Sequence, residues 1–423
     1  MNSKQHYAIA CYQCGLRGAD DGVILRCPVC GDSSLLRTEY STQEFTVSPE
    51  GTGIYRYRRW LPVDREIPGS SRPVVYRSTG LGNALGLRNL WVSFSGYWPE
   101  RDCHMVSGTF KELEAYSVLG RVPLDAGVMV IASAGNTAAS FAAACQGIDF
   151  PCVLVIPEHA LPALAATGEL ADQIRVVVLR NGTYNDVISF SPRMAGSSSQ
   201  FFLEGGVRNV GRRDGLAVVA LAAYEEMGTL PEIYVQAVGS GAGALAVHEA
   251  AQRINTTANV DAGLPRLLVC QNSEFAPLHR SWHKGACAPL DQLAQHGVYA
   301  PELVNIAPPY SIHGGMRNAL QRTAGDVLVA GRAAAKSAAA MFEDLEGIDI
   351  APAAAVAVAC LHDAVTSHRI PSDARILLNI TGGGIKRMPS PMRGLREQSK
   401  VWLVDRDDEP EVIGEKVLRS FAA

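Results

Sequence analysis

The sequence predicts an α/β protein built on parallel sheet, with helices covering both faces. After Leu81, short runs rich in β-branched residues alternate with helical patterns, the order expected of strand–helix–strand units. Several of these runs, such as Val128–Ala132, are apolar throughout, as expected for strands buried on both faces. At 423 residues, with 47% hydrophobic and 19% charged residues, the chain is long enough for more than one domain with a sizeable core.

The individual elements follow from these patterns. Helices are predicted to begin at Lys111, after the turn at 133–139 and after Gly243, and the alanine-rich segment 351–360 predicts a buried helix. The predicted strands are residues 90–94, 128–132, 152–156, 175–179, 233–238, 267–270 and 376–380.

Charge and hydropathy exclude some classes of protein. A formal net charge of −4 argues against a general nucleic-acid binder, which usually carries a basic stripe. No apolar run approaches the roughly 20 residues that a membrane-spanning helix needs, and residues 1–13 show no signal-peptide pattern. We therefore expect a cytoplasmic protein without membrane or nucleic-acid partners.

Four cysteines near the beginning of the chain have the spacing of a metal site. Cys11 and Cys14 form one Cys-x-x-Cys pair, Cys27 and Cys30 form another, and a glycine follows each pair. Four thiolates at this spacing fit a tetrahedral zinc ion with no open coordination position, so the role should be structural. A redox Cys-x-x-Cys motif is the alternative, but the βαβ context that it requires is missing. Residues 1–40 are therefore predicted to form a zinc ribbon.

The segment after the ribbon predicts a linker that becomes an arm on the main body. Residues 41–75 are polar at first, then rich in Arg and Tyr at 55–59, then rich in Pro and Ser. The basic and aromatic run could contact RNA, but no basic cluster lies near it, which favours an exposed structural arm. The remaining cysteines lie mostly in apolar surroundings and are predicted to be reduced core thiols. They are Cys103, Cys145, Cys152, Cys270, Cys287 and Cys360.

One lysine is the first candidate for catalysis. A small-residue turn at 106–109 brings Lys111 to the start of a predicted helix, and no other lysine occurs between Lys4 and Lys284. An amine in an apolar pocket has a lowered pKa, so it can form a Schiff base and later move protons. The alternative is an ordinary lysine in the first turn of a helix.

A glycine loop is the second candidate. The loop follows a predicted strand and opens a helix, so several backbone N–H groups can point at one anion. It consists of Gly239, Ser240, Gly241, Ala242 and Gly243. A dinucleotide-binding loop would follow the first strand of the fold, whereas this loop lies deep in the chain. The alternatives that remain are the phosphate of pyridoxal phosphate and a glycine turn that serves packing alone.

Two further turns could bind polar groups. The turn at 133–137 could hold a carboxylate, and Asn136 could donate a hydrogen bond to a phenolic oxygen; a capped helix start is the alternative. Thr381 ends the last predicted strand, where a cofactor ring could lie; a simple glycine turn is the alternative.

These segments, together with 181–186, resemble the pyridoxal-phosphate-dependent threonine synthase group of fold type II over residues 75–400. The four-cysteine ribbon also occurs in relatives of that group. Threonine synthases usually carry Gly-Ser-Phe-Lys-Asp-Arg at the lysine, whereas this chain has Gly-Thr-Phe-Lys-Glu-Leu-Glu-Ala. That departure, together with residues 308–315, is closer to the cysteate synthases.

The resemblance implies two doubly wound parallel-sheet domains of the tryptophan synthase β-like type behind the ribbon. The implied divisions are 1–40 for the ribbon, 41–100 for the arm and the start of the large domain, 101–204 for the small domain and 205–423 for the large domain. The resemblance implies that Lys111 forms the Schiff base and removes the Cα proton. It implies that Asn136 contacts the cofactor's phenolic oxygen and Thr381 its pyridine nitrogen. The residues implied to bind the cofactor phosphate are Gly239, Ser240, Gly241, Ala242 and Gly243, and those implied to bind the substrate carboxylate are Ser133, Gly135 and Thr137.

The resemblance also implies an activity, namely replacement of the phosphate of O-phospho-L-serine by sulfite to give L-cysteate. The alternatives are threonine synthesis, β-replacement with another nucleophile, a serine or threonine dehydratase, and an inactive zinc-ribbon binding protein. Relatives are commonly dimers or larger, so a homo-oligomer is expected. Because both reactants are anionic, the pocket should contain cations, and the candidates are Arg77, Arg208, Arg212, Arg213, Lys386 and Arg387.

Overall fold

The computed structural model describes residues 6–42, 44–258, 263–284, 298–306, 308–391, 393–395 and 398–421. The strands are β1 (Tyr7–Cys11), β2 (Arg17–Gly18), β3 (Leu36–Tyr40), β4 (Val74–Arg77), β5 (Asn89–Phe94), β6 (Tyr97–Trp98), β7 (Cys103–His104), β8 (Val128–Ala132), β9 (Cys152–Pro157), β10 (Ile174–Arg180), β11 (Phe201–Leu203), β12 (Ile233–Ala237), β13 (Arg266–Asn272), β14 (Asp326–Ala330), β15 (Arg375–Ile380) and β16 (Val401–Asp405).

The α-helices surround these strands. They are α1 (Gly80–Leu85), α2 (Lys111–Arg121), α3 (Asn136–Ala144), α4 (Leu161–Ala165), α5 (Tyr184–Ala195), α6 (Val210–Met227), α7 (Ala242–Ala258), α8 (Pro277–Lys284), α9 (Met316–Arg322), α10 (Arg332–Glu346), α11 (Pro352–Thr366) and α12 (Pro410–Arg419). The alanine-rich helix predicted at 351–360 is α11, and most of its residues are buried. Among the described residues, none of these helices combines the length and hydropathy needed to cross a bilayer.

Two mainly parallel sheets form the main body, as predicted. The larger has the order β14-β13-β12-β15-β5-β4 and the smaller the order β11-β8-β9-β10-β16. Every pairing in the smaller sheet is parallel, and in the larger sheet only the edge pair β4–β5 is antiparallel. The predicted α/β architecture with two parallel sheets is therefore confirmed.

The end of the chain returns to the smaller sheet. Strand β16 pairs with β10 in parallel, and α12 packs beside α5. The division implied by the resemblance places all of 205–423 in the large domain, whereas this terminal segment joins the smaller sheet. The reason is that a parallel partner for β10 can come from any distance along the chain. The local sequence of β16 does not indicate which strand it pairs with.

The arm after the ribbon is more buried than predicted. Residues Gly53–Trp60 form a 3-10 helix in which Tyr55 and Tyr57 have no exposed surface. The Tyr57 hydroxyl donates a hydrogen bond to Glu225 Oε2 at 2.6 Å, and Arg56 pairs with the same carboxylate. The prediction of an exposed arm was therefore wrong for the tyrosines, whose rings are part of the core. The predicted core thiols are buried in the described part of the chain; Cys287 lies outside it.

Candidate active site

The start of α2 is fixed to the end of β15. The Phe110 N–H donates a hydrogen bond to Thr381 O at 3.0 Å, and Thr109 forms an antiparallel bridge with Gly382. Lys111 is the first residue of α2. These backbone contacts place the Lys111 side chain at the carboxyl end of the larger sheet, where parallel α/β folds bind their ligands.

The structure brings the predicted site residues together at one cavity between the sheets. Residues from the ends of β8, β12 and β15 line it, together with the start of α2. They are Lys111, Ser133, Asn136, Thr137, Gly239, Ser240, Gly241, Ala242, Gly243 and Thr381. Gly135 lines an adjoining outer cavity of about 810 Å³, which Asn136 also lines. The two cavities therefore adjoin each other at Asn136.

The glycine loop has the geometry of an anion cradle. Its last two residues begin α7, whose first-turn N–H groups have no acceptor within the helix. Gly241 has a φ of +83°, which favours glycine. A Cβ on Gly243 would lie 2.7 Å from Gln236 Nε2 and 2.9 Å from the Phe110 ring. Both distances are steric clashes, so this position favours glycine. The Tyr310 hydroxyl donates a hydrogen bond to Gly239 O at 2.6 Å and holds the loop in place.

Lys111 is an amine in a largely dry setting. Its side chain retains 21% of its exposure, and burial lowers its pKa, which the nearby Glu114 carboxylate partly offsets. The Lys111 Nζ donates a hydrogen bond to Glu114 Oε2 at 3.1 Å and lies 5.0 Å from the centre of the Phe110 ring. A lowered pKa leaves more free amine near neutral pH, which is the form that condenses with an aldehyde.

Behind Lys111 lies a chain of buried charges. The sequence patterns singled out Arg212 as a cation, but not its pairing with Glu114 and Glu204. Glu114 Oε1 accepts hydrogen bonds from Thr137 Oγ1 at 2.9 Å and from the Arg212 guanidinium at 2.6 Å. Arg212 Nε donates in turn to Glu204 Oε1 at 2.9 Å. Glu114 comes three residues after Lys111, a spacing that places two side chains on one face of a helix. That spacing was the available signal for Glu114, whereas Glu204 had none.

The turn at 133–137 is a capped helix start that also lines the cavity. Ser133 Oγ accepts hydrogen bonds from the N–H groups of Gly135 at 3.0 Å and Ala138 at 2.9 Å. This hydroxyl oxygen is therefore engaged by the turn itself, so Ser133 shapes the turn as well as lining the cavity. The Thr137 hydroxyl donates to Glu114. Asn136, from the same turn, lines both the inner and the outer cavity.

Of the six proposed cations, Arg212 is the one that lines the inner cavity, and its guanidinium is already paired with Glu114 and Glu204. The other five engage partners elsewhere. Arg208 pairs with Asp32, Arg213 with Glu249, Lys386 with Glu343 and Arg387 with Glu100, while Arg77 donates to Arg88 O. The expectation of several cations in the pocket is therefore not met by these residues, because neighbouring carboxylates and carbonyls hold them.

The four ribbon cysteines form one cluster. Their sulfur atoms all lie within 4.8 Å of one another, and Cys14 Sγ is 3.7 Å from Cys27 Sγ. The ribbon sheet has the order β2-β1-β3. Four thiols converging at this distance form a donor set that suits a tetrahedral metal ion.

A buried ion pair and two hydrogen bonds hold the ribbon against the helices of the site. Asp20 pairs with Arg121, at the end of α2, at 2.7 Å, and these two side chains have 0% and 1% exposure. Thr38 and Tyr40 of β3 donate to the Asp214 carboxylate of α6 at 2.6 and 2.7 Å. Helices α2 and α6 also carry Lys111 and Arg212, so the ribbon packs against the two helices that hold these site residues.

Comparison with known proteins agrees with this geometry. Residues 77–382 match the family described as pyridoxal-phosphate dependent enzyme. The chain is 41% identical to the cysteate synthase of Methanosphaerula palustris, covering 90% of this chain and 91% of that protein. It is 39% identical to the cysteate synthase of Methanocorpusculum labreanum, covering 93% and 96%.

Solved structures agree on the fold. Threonine synthase from Escherichia coli has a TM-score of 0.60 at 14% identity, covering 79% of each chain. Maize serine racemase has a TM-score of 0.57 at 17% identity, covering 74% of this chain and 88% of that one. These neighbours confirm the predicted fold type II.

Proposed function

Because this chain belongs to the family of pyridoxal-phosphate-dependent enzymes, in which cysteate synthases are its relatives, we propose that it replaces the phosphate of O-phospho-L-serine by sulfite. The products are L-cysteate and inorganic phosphate. The proposal rests on one observation. The half-buried Lys111 amine lines the same cavity as the glycine loop at 239–243, which lies at the N-terminus of a helix.

The residues present fit the cofactor. The amine suits its aldehyde, and the loop at 239–243 suits its phosphate. We assign Asn136 to the phenolic oxygen and Thr381, a neutral hydroxyl, to the ring nitrogen. Bound pyridoxal phosphate supplies an electron sink for charge that develops at the substrate Cα.

The protein's own groups orient the substrate and transfer its Cα proton. Lys111 Nζ accepts the Cα proton of the amino acid and returns it to Cα once the nucleophile has added at Cβ. The turn at 133–137, with Ser133, Gly135 and Thr137, orients the substrate carboxylate. We assign the entry of both reactants to the outer cavity, which adjoins the inner one. The partial burial of Lys111 limits its contact with bulk water.

The proposal includes a structural zinc ion on Cys11, Cys14, Cys27 and Cys30. A cytoplasmic location and assembly into a dimer or larger homo-oligomer belong to the same proposal, the latter by analogy with the threonine synthase group. The domain divisions at residues 40, 100 and 204 also remain proposals, apart from the C-terminal strand β16.

We expect protein purified anaerobically to carry about one zinc ion per chain, because four thiolates complete the preferred coordination of zinc. The Cys27→Ser variant should lose that zinc and melt at a lower temperature, since metal binding to such a site contributes directly to folding. Elemental analysis and thermal unfolding measure both effects. The Cys360→Ser variant, altered at a core thiol, should keep its zinc. Reduced wild-type protein that holds no zinc would contradict the assignment.

The activity is tested by anaerobic incubation of the holoenzyme with O-phospho-L-serine and sulfite. We expect cysteate and phosphate to form in equal amounts, because one C–O bond is exchanged for one C–S bond in each turnover. Mass spectrometry detects the first product and a phosphate assay the second.

Control incubations separate the alternatives. O-Phosphohomoserine with water should give no threonine, and serine without a nucleophile should give little pyruvate. Threonine formation would favour threonine synthase, and rapid pyruvate release would favour a dehydratase. Turnover of phosphoserine with a thiol but not with sulfite would identify a different nucleophile.

A further inference from the structure

The residue that directly contacts the Lys111 amine is itself the centre of a closed polar network. Glu114 has no exposed surface, and both of its carboxylate oxygens are used: Oε2 by Lys111 and Oε1 by Thr137 and Arg212. A fully buried carboxylate is costly unless each oxygen has a partner. Glu114 can therefore hold the amine in one place, because its own position is fixed from the opposite side.

The network connects three helices of the site. Glu114 lies on α2, Thr137 on α3 and Arg212 on α6. Helices α2 and α6 approach closely because Gly215 of α6 has no side chain; a Cβ there would collide with Leu113 O. The contact between Glu114 and Arg212 thus depends on this close helix packing.

The charges in the network balance. Lys111 and Arg212 are cationic when protonated, whereas Glu114 and Glu204 are anionic, so each charge has an opposite neighbour within about 3 Å. Arg212 therefore neutralises part of the field that Glu114 would otherwise exert on Lys111. The other titratable groups that line the same cavity are Tyr184 from α5 and Glu302 from the segment at 298–306.

We propose that Glu114 is a positioning residue that aims the Lys111 amine and, with Arg212 as its counter-charge, sets how readily that amine gives up and recovers its proton. This inference rests on the proposed function for its effect on turnover, but its effect on Lys111 can be measured without any substrate. Glu114, the second glutamate after Lys111, supplies the carboxylate that faces the lysine.

The sign of the effect follows from electrostatics. Glu114 stabilises the charged form of Lys111 and Arg212 destabilises it. In Glu114→Gln the stabilising charge is gone while Arg212 remains, so Lys111 should lose its proton at lower pH. Turnover should fall at the same time, because the amide neither orients the amine with the same strength nor helps it to hold a proton.

The experiment measures the rate at which apoprotein binds pyridoxal phosphate as a function of pH. The visible absorbance of the lysine-bound cofactor reports this rate. For Glu114→Gln we expect the midpoint of this profile to move down by about one pH unit or more, the usual effect of removing an opposite charge at this distance. We expect turnover of the reconstituted enzyme to fall about tenfold or more. A merely damaged protein would instead lose capture and turnover together.

Glu112 provides the matched control. It is the neighbouring buried glutamate of α2, but its carboxylate accepts a hydrogen bond from the Ser107 N–H rather than from Lys111. Glu112→Gln should leave the capture midpoint unchanged. Should Glu114→Gln fail to fold, Glu114→Asp keeps the charge on a shorter side chain, and its midpoint should stay within a few tenths of a pH unit while turnover falls.

The inference would be overturned if the capture midpoint of Glu114→Gln equalled those of the wild type and of Glu112→Gln. If Glu114→Gln does not fold, full turnover in Glu114→Asp would overturn it instead. Failure of the proposed function is distinguishable from this result, because capture needs neither phosphoserine nor sulfite. If phosphoserine is not a substrate while the midpoint still shifts, Glu114 keeps its role and the reaction is a different one.

Discussion

Replacing Lys111 by alanine is expected to abolish both the visible absorbance of lysine-bound cofactor and measurable turnover. The methyl group cannot condense with the cofactor aldehyde, and no other lysine lines the inner cavity within the described residues. Loss of proton transfer alone costs about 10²- to 10⁴-fold, and loss of covalent attachment adds to it. Absorbance spectra and the phosphoserine assay on the same preparation measure the two effects.

The matched control is Lys336→Ala. Lys336 lies on α10 and is exposed, so its loss should change neither the absorbance nor the rate. Substantial turnover in Lys111→Ala, with the fold intact by circular dichroism, would contradict the assignment of Lys111 as the attachment site and the proton carrier.

Breaking the buried pair between Asp20 and Arg121 is expected to have the largest effect on stability. Arg121→Leu leaves the Asp20 carboxylate without its counter-charge in a place with no exposed side-chain surface. The Tyr7 hydroxyl, which donates to Asp20 at 2.7 Å, cannot neutralise it. Leaving one partner of a buried ion pair alone costs about 3–5 kcal/mol. We therefore expect a lower free energy of unfolding, measured by denaturant titration, and a ribbon that is loosened from α2.

An exposed ion pair of the same length is the control. Arg17 and Glu39 also lie 2.7 Å apart, but the Arg17 side chain is 65% exposed. Arg17→Leu should change stability by only about 0–1 kcal/mol, because water screens the pair. Equal effects of the two substitutions would show that burial of the pair with Asp20 does not anchor the ribbon.

The sequence predicted the interior strands and missed the edges. Each predicted strand corresponds to an interior strand of one of the two sheets, whereas β4, β11, β14 and β16 are the edge strands. Interior strands are covered on both faces and read as continuous apolar runs; β9 is buried at every position. Edge strands are more exposed, as in β4, and their place depends on a partner that the local pattern does not name.

The candidate site divides in the same way. Lys111 and the glycine loop are local patterns, a turn before a helix and a bare loop after a strand, so the sequence alone indicated them. The network of Glu114, Arg212 and Glu204 comes from three segments that only the packing of α2 against α6 brings together. The pairing of Asp20 with Arg121 joins residues about a hundred positions apart. Such long-range charge pairs leave no periodicity to detect.

The most direct test is reduction of the purified holoenzyme with borohydride, which makes the lysine–cofactor bond permanent, followed by digestion and peptide mass spectrometry. We expect a pyridoxyl phosphate group on the peptide that contains Lys111 and on no other peptide. A modified lysine elsewhere in the chain, or a cofactor that is lost on digestion without having been joined to any lysine, would contradict it.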